Sequence, residues 1–414
     1  MSTGTSALRY DPFDLAVRDD PYPHYARLRA EAPVYHVEEH GFWVLSRYDD
    51  VARAARDHES LSSAESIGVE RQSEMFQSLA ERFGIDIDTA DIPSPRPMIA
   101  TDPPDHTRLR KLVIREFVPP AVARRQPQVQ AICDRLVDDL VAANGRGEAD
   151  IVQHVAAPLP ALVIIDMLGV PPEDHDQLKE WTEQGVHLIG GAIDPALQMT
   201  SIGAGMNLFS YFDQIIAERR QAPRDDLISL LLREEDGQVL SHEELIGQCV
   251  LVLVGGHETT TNLIGNAFKA FFAHPDQLGR VRRDPSLVPG ALEEVLRWDA
   301  PVQGLFRDAV RDVEIAGTVV PAGSRVQLLW GSANRDGDHY PDPDAFLIDR
   351  APRDHFGFGH GIHYCVGAHL ARLEAKLAVE TILRRTGETL CSAGESQLNY
   401  NLLVRGPRTL PVAF

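Results

Sequence analysis

The residues best suited to chemistry crowd into one stretch, HFGFGHGIHYCVGAHLARLE at 355–374, where Cys365 stands between a glycine-rich turn and a helical run. A thiol just ahead of a helix meets the positive end of the helix dipole and unpaired backbone N–H groups, both of which favour the thiolate. Such a thiolate can be a nucleophile, with His363 as its base, or a soft metal ligand. Bound to haem iron, it would push electron density toward O–O cleavage. The glycines at 357, 359, 361 and 367 let the backbone pass close to something flat or bulky.

Three further groupings could serve that centre. In VGGHETT, residues 254–260, two adjacent glycines inside a helix cost about 1 kcal/mol each relative to alanine. Either close helix packing explains them, or a distorted turn in which Thr259 bonds back to the Gly255 carbonyl and opens a pocket. Val252, Gly255, Gly256, Thr259 and Leu263 are expected on one face of that helix. Glu294 and Arg297 are an i,i+3 pair, a spacing that also decorates solvated helices. His106 and Arg110, four apart, could grip an anionic group from one side of a helix, or simply face water.

The elements that must carry these groups are mostly helical. Segments 33–39 and 41–48 alternate as two strands about a turn at Gly41. From about Ala121 to Gly237 the pattern is helix, punctuated by prolines near 119, 158 and 171. Ser241 and Glu244 make a capping-box pattern that opens a very long helix, apolar on nearly every face until Gly255 and so expected to cross the middle of the molecule. Residues 288–298 read as a shorter helix, 307–330 as strand, turn, strand, and 398–414 as extended chain. The fold class is mainly α with small β-sheets, and no linker divides the chain, so one domain over 1–414 is expected.

Composition narrows the partners. A net charge of -21 argues against nucleic acid, since little offsets phosphate repulsion. The N-terminus lacks a signal-peptide pattern, and the apolar runs PALVIIDMLGV and CVLVLVGG are too short to span a bilayer, so a cytoplasmic protein off the membrane is expected. Cys133, Cys249, Cys365 and Cys391 are widely separated and suggest neither disulfides nor a zinc site.

The pattern Phe358-x-x-Gly361-x-His363-x-Cys365-x-Gly367 resembles the haem-binding signature of the cytochrome P-450 superfamily, the haem-thiolate monooxygenases. The resemblance implies haem b with Cys365 as axial ligand, its loop residues Phe358, Gly361 and Gly367 and the helix residues Gly255 and Gly256 close to it. It implies that His106, Arg110, Arg307 and His363 hold the haem propionates. Glu258 and Thr259 would be the acid–alcohol pair that delivers protons to dioxygen. Glu294, Arg297 and Arg350 would form a structural network, although Leu347 stands in the meander where many relatives have aspartate. A lipophilic substrate of terpenoid, steroid or polyketide type would lie under residues 62–100 and 185–199, against Leu251, Val252, Gly255, Val302, Gln303, Leu305, Leu402 and Leu403.

Electrons would come from a ferredoxin or flavodoxin with an NAD(P)H reductase, no reductase being fused to an expected monomer. Arg108, Arg110, Lys111, Arg115, Arg124, Arg125 and Arg372 form the basic patch that such an acidic carrier would meet. Two alternatives use the same loop: a peroxide-driven peroxygenase, whose relatives generally lack the acid–alcohol pair, and a haem sensor with no need of a proton relay.

Overall fold

Ser241 opens the helix that organises the molecule. Its hydroxyl accepts from Glu244 N at 3.2 Å while the Glu244 carboxylate accepts from Ser241 N at 2.8 Å, both halves of the expected capping box. The helix runs His242–Ala273, about 48 Å at 1.5 Å per residue, and buries side chains around most of its circumference. The computed structural model describes residues 8–64, 97–189, 195–234, 237–399 and 401–414. The parts of the expected substrate roof at 65–96 and 190–194 therefore lie outside the described residues.

Helices Pro158–Leu168 and Ala368–Thr386 pack against this central helix, Pro119–Asn144 packs on both of them, and together they make the largest apolar core. Proline begins two of them because the first turn has no use for its missing N–H. Helix Val288–Trp298 joins the same core, as its pattern predicts.

Among the described residues seven strands precede the cysteine loop: β1 Val34–Val37, β2 Phe42–Leu45, β3 Leu61–Ser62, β4 Leu305–Ala309, β5 Val313–Ile315, β6 Thr318–Val320 and β7 Arg325–Leu328. A five-stranded sheet runs β1-β2-β7-β4-β3, with β2 parallel to β7 and the other pairs antiparallel. Residues 307–330 are thus more than one hairpin: β4 and β7 enter the sheet, while β5 and β6 form a separate ribbon. Residues 398–414 are only partly strand, with Pro407–Thr409 paired to Gln397–Leu398 and Val412–Ala413 paired to Cys391–Ser392. No helix among the described residues is long and apolar enough to cross a membrane.

Candidate active site

Cys365 sits where its sequence places it, just before helix Ala368–Thr386, with its N–H bonded to Phe358 O at 2.9 Å. Burial pushes the thiol up, and the N–H groups of Gly367 and Ala368 with the guanidiniums of Arg110 and Arg372 only partly pull it back. The expectation of a thiolate from the helix start alone is therefore corrected: desolvation wins, and an anionic sulfur here needs a positive partner against it. Burial, then Arg307, His106 and Arg110, press the His363 imidazole down to about 2. Such a shift disfavours His363 as the base of the nucleophile reading.

The glycines of the loop answer largely to protein packing. At Gly361, with φ 70°, a Cβ would also fall 2.6 Å from the Ala55 carbonyl oxygen, so only glycine fits. A Cβ on Gly357 would fall 2.7 Å from the Leu296 carbonyl oxygen. The reading of these two as room for a ligand gives way to close contact with neighbouring backbone. Gly367 has only the Cys365 sulfur near it, 3.9 Å from an added Cβ. The Phe358 ring lies under the Arg372 guanidinium, 4.4 Å from its centroid, a cation–π contact. Arg372 in turn forks onto Glu293 at 2.6 and 2.8 Å, and His355 Nε2 is 3.0 Å from the same carboxylate.

Beneath the loop, Glu294 and Arg297 are fully buried and face each other, Nε to Oε2 at 2.8 Å and Nη2 to Oε1 at 2.7 Å. Arg297 also donates to the carbonyls of Asn334, Pro343 and Ala345. Arg350 Nε reaches Glu294 Oε1 at 3.3 Å, and Leu347 N reaches it at 2.9 Å. Leu347 thus serves through its backbone, so the missing aspartate does not break this contact. Asn334, which the sequence did not single out, links the network to the loop by accepting from Phe356 N at 2.7 Å.

His106 and His363 also meet, ring centroids 4.3 Å apart with planes tilted by 55°, and the Nε2 atom of each is buried without a hydrogen-bond partner. Arg307, 4% exposed, adds a guanidinium whose pKa burial lowers to about 10. Burial likewise lowers Arg110, which lies close enough to Cys365 to interact with it. Asp102, which acts on His106 and Arg307, is already engaged by Ser62 Oγ and Ser63 N, and Asp308, which also acts on Arg307, pairs with Arg325 at 3.3 Å. Two imidazoles and two guanidiniums thus share a pocket that lacks matching anions among the described residues. Buried donors of this kind are stable only when an anionic group completes them, and two carboxylates such as haem propionates fit.

The central helix carries the second half of the site. Gly255 is exposed although it sits mid-helix in the core, and an added Cβ there would meet only Leu251, at 3.9 Å. Thr259 Oγ1 donates to Gly255 O at 2.7 Å, the expected back-bond. Gly256 differs: its Cβ would lie 2.9 Å from Ile164, which is close helix packing. Val252 and Leu263 are likewise buried in the helical core, so the expected five-residue face reduces to a notch at Gly255 and Thr259. Burial raises the Glu258 carboxyl to about 7, and its partner is the Asn399 amide, a residue the sequence reading missed.

The aliphatic substrate set divides in the same way. Leu251, Val302, Leu305 and Leu402 are half-buried, each packed against an apolar core, whereas Leu403 is fully buried. Gln303 turns away, its amide donating to Ala300 O at 2.8 Å. The basic patch is also more neutral than its composition suggests. Arg108 pairs with Glu244, Arg125 with Glu116 and Arg372 with Glu293, while Arg110 points inward and Arg124 is exposed. Beside it, helices Pro119–Asn144, Val288–Trp298 and Ala368–Thr386 frame a surface pocket of about 260 Å³.

Comparison with known proteins identifies the family. The cytochrome P450 family model matches residues 70–412. The chain is 40% identical over 409 residues to cytochrome P450 107B1 of Saccharopolyspora erythraea, covering 97% of this chain and 96% of that protein. It is 38% identical to the vitamin D(3) 25-hydroxylase of Pseudonocardia autotrophica, covering 99% and 98%. Among solved structures, CYP109E1 from Bacillus megaterium in complex with testosterone superposes with a TM-score of 0.84 at 34% identity, covering 96% and 98%. A family model over most of the chain and a relative 40% identical over nearly its whole length settle the kinship: the chain belongs to the cytochrome P450 family of haem-dependent oxygenases.

Proposed function

We propose that this enzyme binds haem b through Cys365 and inserts one atom of O2 into a mid-sized lipophilic molecule, by hydroxylation or epoxidation. The observation that carries the reading is the buried cluster of His106, Arg110, Arg307 and His363 beside Cys365, with two imidazole nitrogens lacking partners. When bound, the haem supplies the reductive activation of O2 and the transfer of one of its atoms. Cys365 Sγ would hold the iron, hydrogen-bonded by the N–H groups of Gly367 and Ala368, and the guanidiniums of Arg110 and Arg307 with the imidazoles of His106 and His363 would hold the two propionates.

Around that group, each side chain has a defined task. Gly255 keeps space open on the central helix. Thr259 gives its hydroxyl proton to Gly255 O, so its oxygen lone pairs face the notch as acceptors. Glu258, one residue away and poised about 7, holds and releases a proton near neutral pH. Glu294, Arg297, Arg350 and Asn334 fix the loop that carries Cys365.

A lipophilic substrate suits the half-buried Leu251 and Val302. The relatives named for vitamin D(3) hydroxylation and bound to testosterone point the same way. Electrons would arrive in the cytoplasm from a separate ferredoxin or flavodoxin with its NAD(P)H reductase, docking at the pocket rimmed by His369, Arg372 and Lys376. We take the chain to act as one haem domain and as a monomer.

The test titrates the holoenzyme with steroids, terpenoids and macrolactones, follows the Soret band, and traces isotope-labelled O2 into product. The reading expects a saturable spectral shift with at least one of these classes and one labelled oxygen atom per product. Label arriving from water, or spectral response to charged hydrophilic compounds alone, overturns it.

A further inference from the structure

Glu258 lies on the central helix, yet its carboxyl is held from the far end of the chain. Asn399 Nδ2 donates to Glu258 Oε1. The amide comes from a braced segment. Asn399 N donates to Gly406 O at 2.9 Å, closing the ribbon in which Gln397–Leu398 pairs with Pro407–Thr409. That ribbon presses directly on the central helix. A Cβ on Gly406 would fall 2.3 Å from Asn262 Oδ1, and one on Gly265 would fall 2.5 Å from Pro407. Asn266 Nδ2 adds a bond to Arg405 O at 3.0 Å.

Asn399 also borders a small polar cavity of about 30 Å³, together with Asn401, Gln303, Tyr25, Arg18 and Arg405. That volume holds about one water, and polar walls of this kind supply its hydrogen bonds. Glu258 and this cavity therefore share one side chain.

We propose that Asn399 is the positioning residue of Glu258 and holds its carboxyl beside the route by which water from this cavity replaces its proton. The proposal rests on the reading of Glu258 as the proton relay. An amide N–H bonds only to an unprotonated carboxyl oxygen, so Asn399 fixes Oε1 as acceptor and leaves Oε2 to carry the proton. A proton leaves Oε2 toward the Thr259 notch; the carboxylate then takes one from cavity water, and bulk solvent restores that water. The groups around Glu258 leave this positioning to Asn399. On its own helix, His257 is turned away to Ala157 O at 3.1 Å, and across the cavity Arg405 is engaged by Asp299 at 3.1 Å. Burial raises Glu258 and the Asn399 hydrogen bond draws it back, which leaves it at about 7.

The experiment compares wild type, Asn399→Leu and Glu258→Gln in the holoenzyme with two readouts. One is the infrared carboxyl band of protonated Glu258, identified by its loss in Glu258→Gln and titrated with pH. The other is product formed per NAD(P)H consumed, in H2O and in D2O. Asn399→Leu is expected to move the band's midpoint upward from about 7 by about one unit, the worth of one hydrogen bond, and to cut coupling severalfold with a larger solvent isotope effect. An unchanged midpoint and unchanged coupling in Asn399→Leu, with Glu258→Gln uncoupled, overturns the role of Asn399 and leaves the relay standing. Full coupling in Glu258→Gln overturns the relay itself, and the proposal with it. If leucine disturbs the ribbon, Asn399→Asp keeps the shape and sets a second carboxylate against Glu258. It too should raise the midpoint, and a midpoint that stays put sinks the proposal.

Discussion

Replacing Glu294 by glutamine should cost this protein about 3–5 kcal/mol, because it leaves the fully buried Arg297 guanidinium without its countercharge. The figure follows from the contacts. Glu294 accepts two charge-assisted bonds from Arg297, at 2.7 and 2.8 Å, and two more from Leu347 N and Arg350 Nε. The glutamine amide can keep one acceptor oxygen but turns an NH2 group toward guanidinium donors. Domains of ordinary stability, about 5–15 kcal/mol, lose much of their margin to such a change. The assay is chemical denaturation followed by far-ultraviolet circular dichroism, with the haem–carbon monoxide spectrum recorded alongside. Asn334 couples the network to Phe356, so loss of the thiolate-type band should track the loss of stability. Adding Arg297→Met should recover part of the loss, since it removes the buried charge that Glu294→Gln leaves uncompensated. A loss under about 1 kcal/mol, or a double variant that loses the full sum of the singles, refutes the reasoning.

Two other perturbations separate neighbouring roles. Gly255→Ala should stabilise the haem-free protein by about 0.5–1 kcal/mol through helix propensity while lowering turnover, because it fills the notch; Gly256→Ala should cost about 1 kcal/mol or more by pressing on Ile164. Thermal melts of the apoproteins and product assays check the pair, and equal behaviour of the two contradicts the split. Burial opposes ionisation of Glu293, but Arg372 and His355 overcome it and lower the group to about 2. Its stabilising contribution is therefore complete above the ordinary glutamate value of about 4.3 and is lost as pH falls toward about 2. Glu293→Gln should flatten stability against pH in that window; an unchanged slope in acid denaturation argues against the pairing.

What the sequence made legible was local. The thiol ahead of its helix, the capping box at Ser241 and the back-bond from Thr259 to Gly255 each depend on residues within a few positions, and each stands where the spacing puts it. What escaped is set by contacts distant along the chain. Asn399 lies 141 positions from Glu258, and nothing around either residue announces the other. The same holds for Arg108 and Glu244, 136 apart, whose pairing neutralises part of a patch that sequence counts as basic. Gly255 and Gly256 were placed on one face, but successive helix residues turn by about 100°, enough to send one to a notch and the other against Ile164. In the chain near the sheet, Gln303 and Leu403 look inward by register, since a strand pair assigns faces residue by residue. Their backbones meet directly, Gln303 N to Leu403 O at 2.7 Å.

The central claim is that Cys365 is a thiolate ligand to haem iron, and the most direct measurement is the absorption spectrum of the dithionite-reduced protein under carbon monoxide. The account predicts the strongly red-shifted Soret band of thiolate-ligated haem in the wild type, and its loss in Cys365→His. A Soret band of histidine or neutral-thiol type in freshly folded wild type, or no haem absorbance after expression with haem supplied, would contradict it.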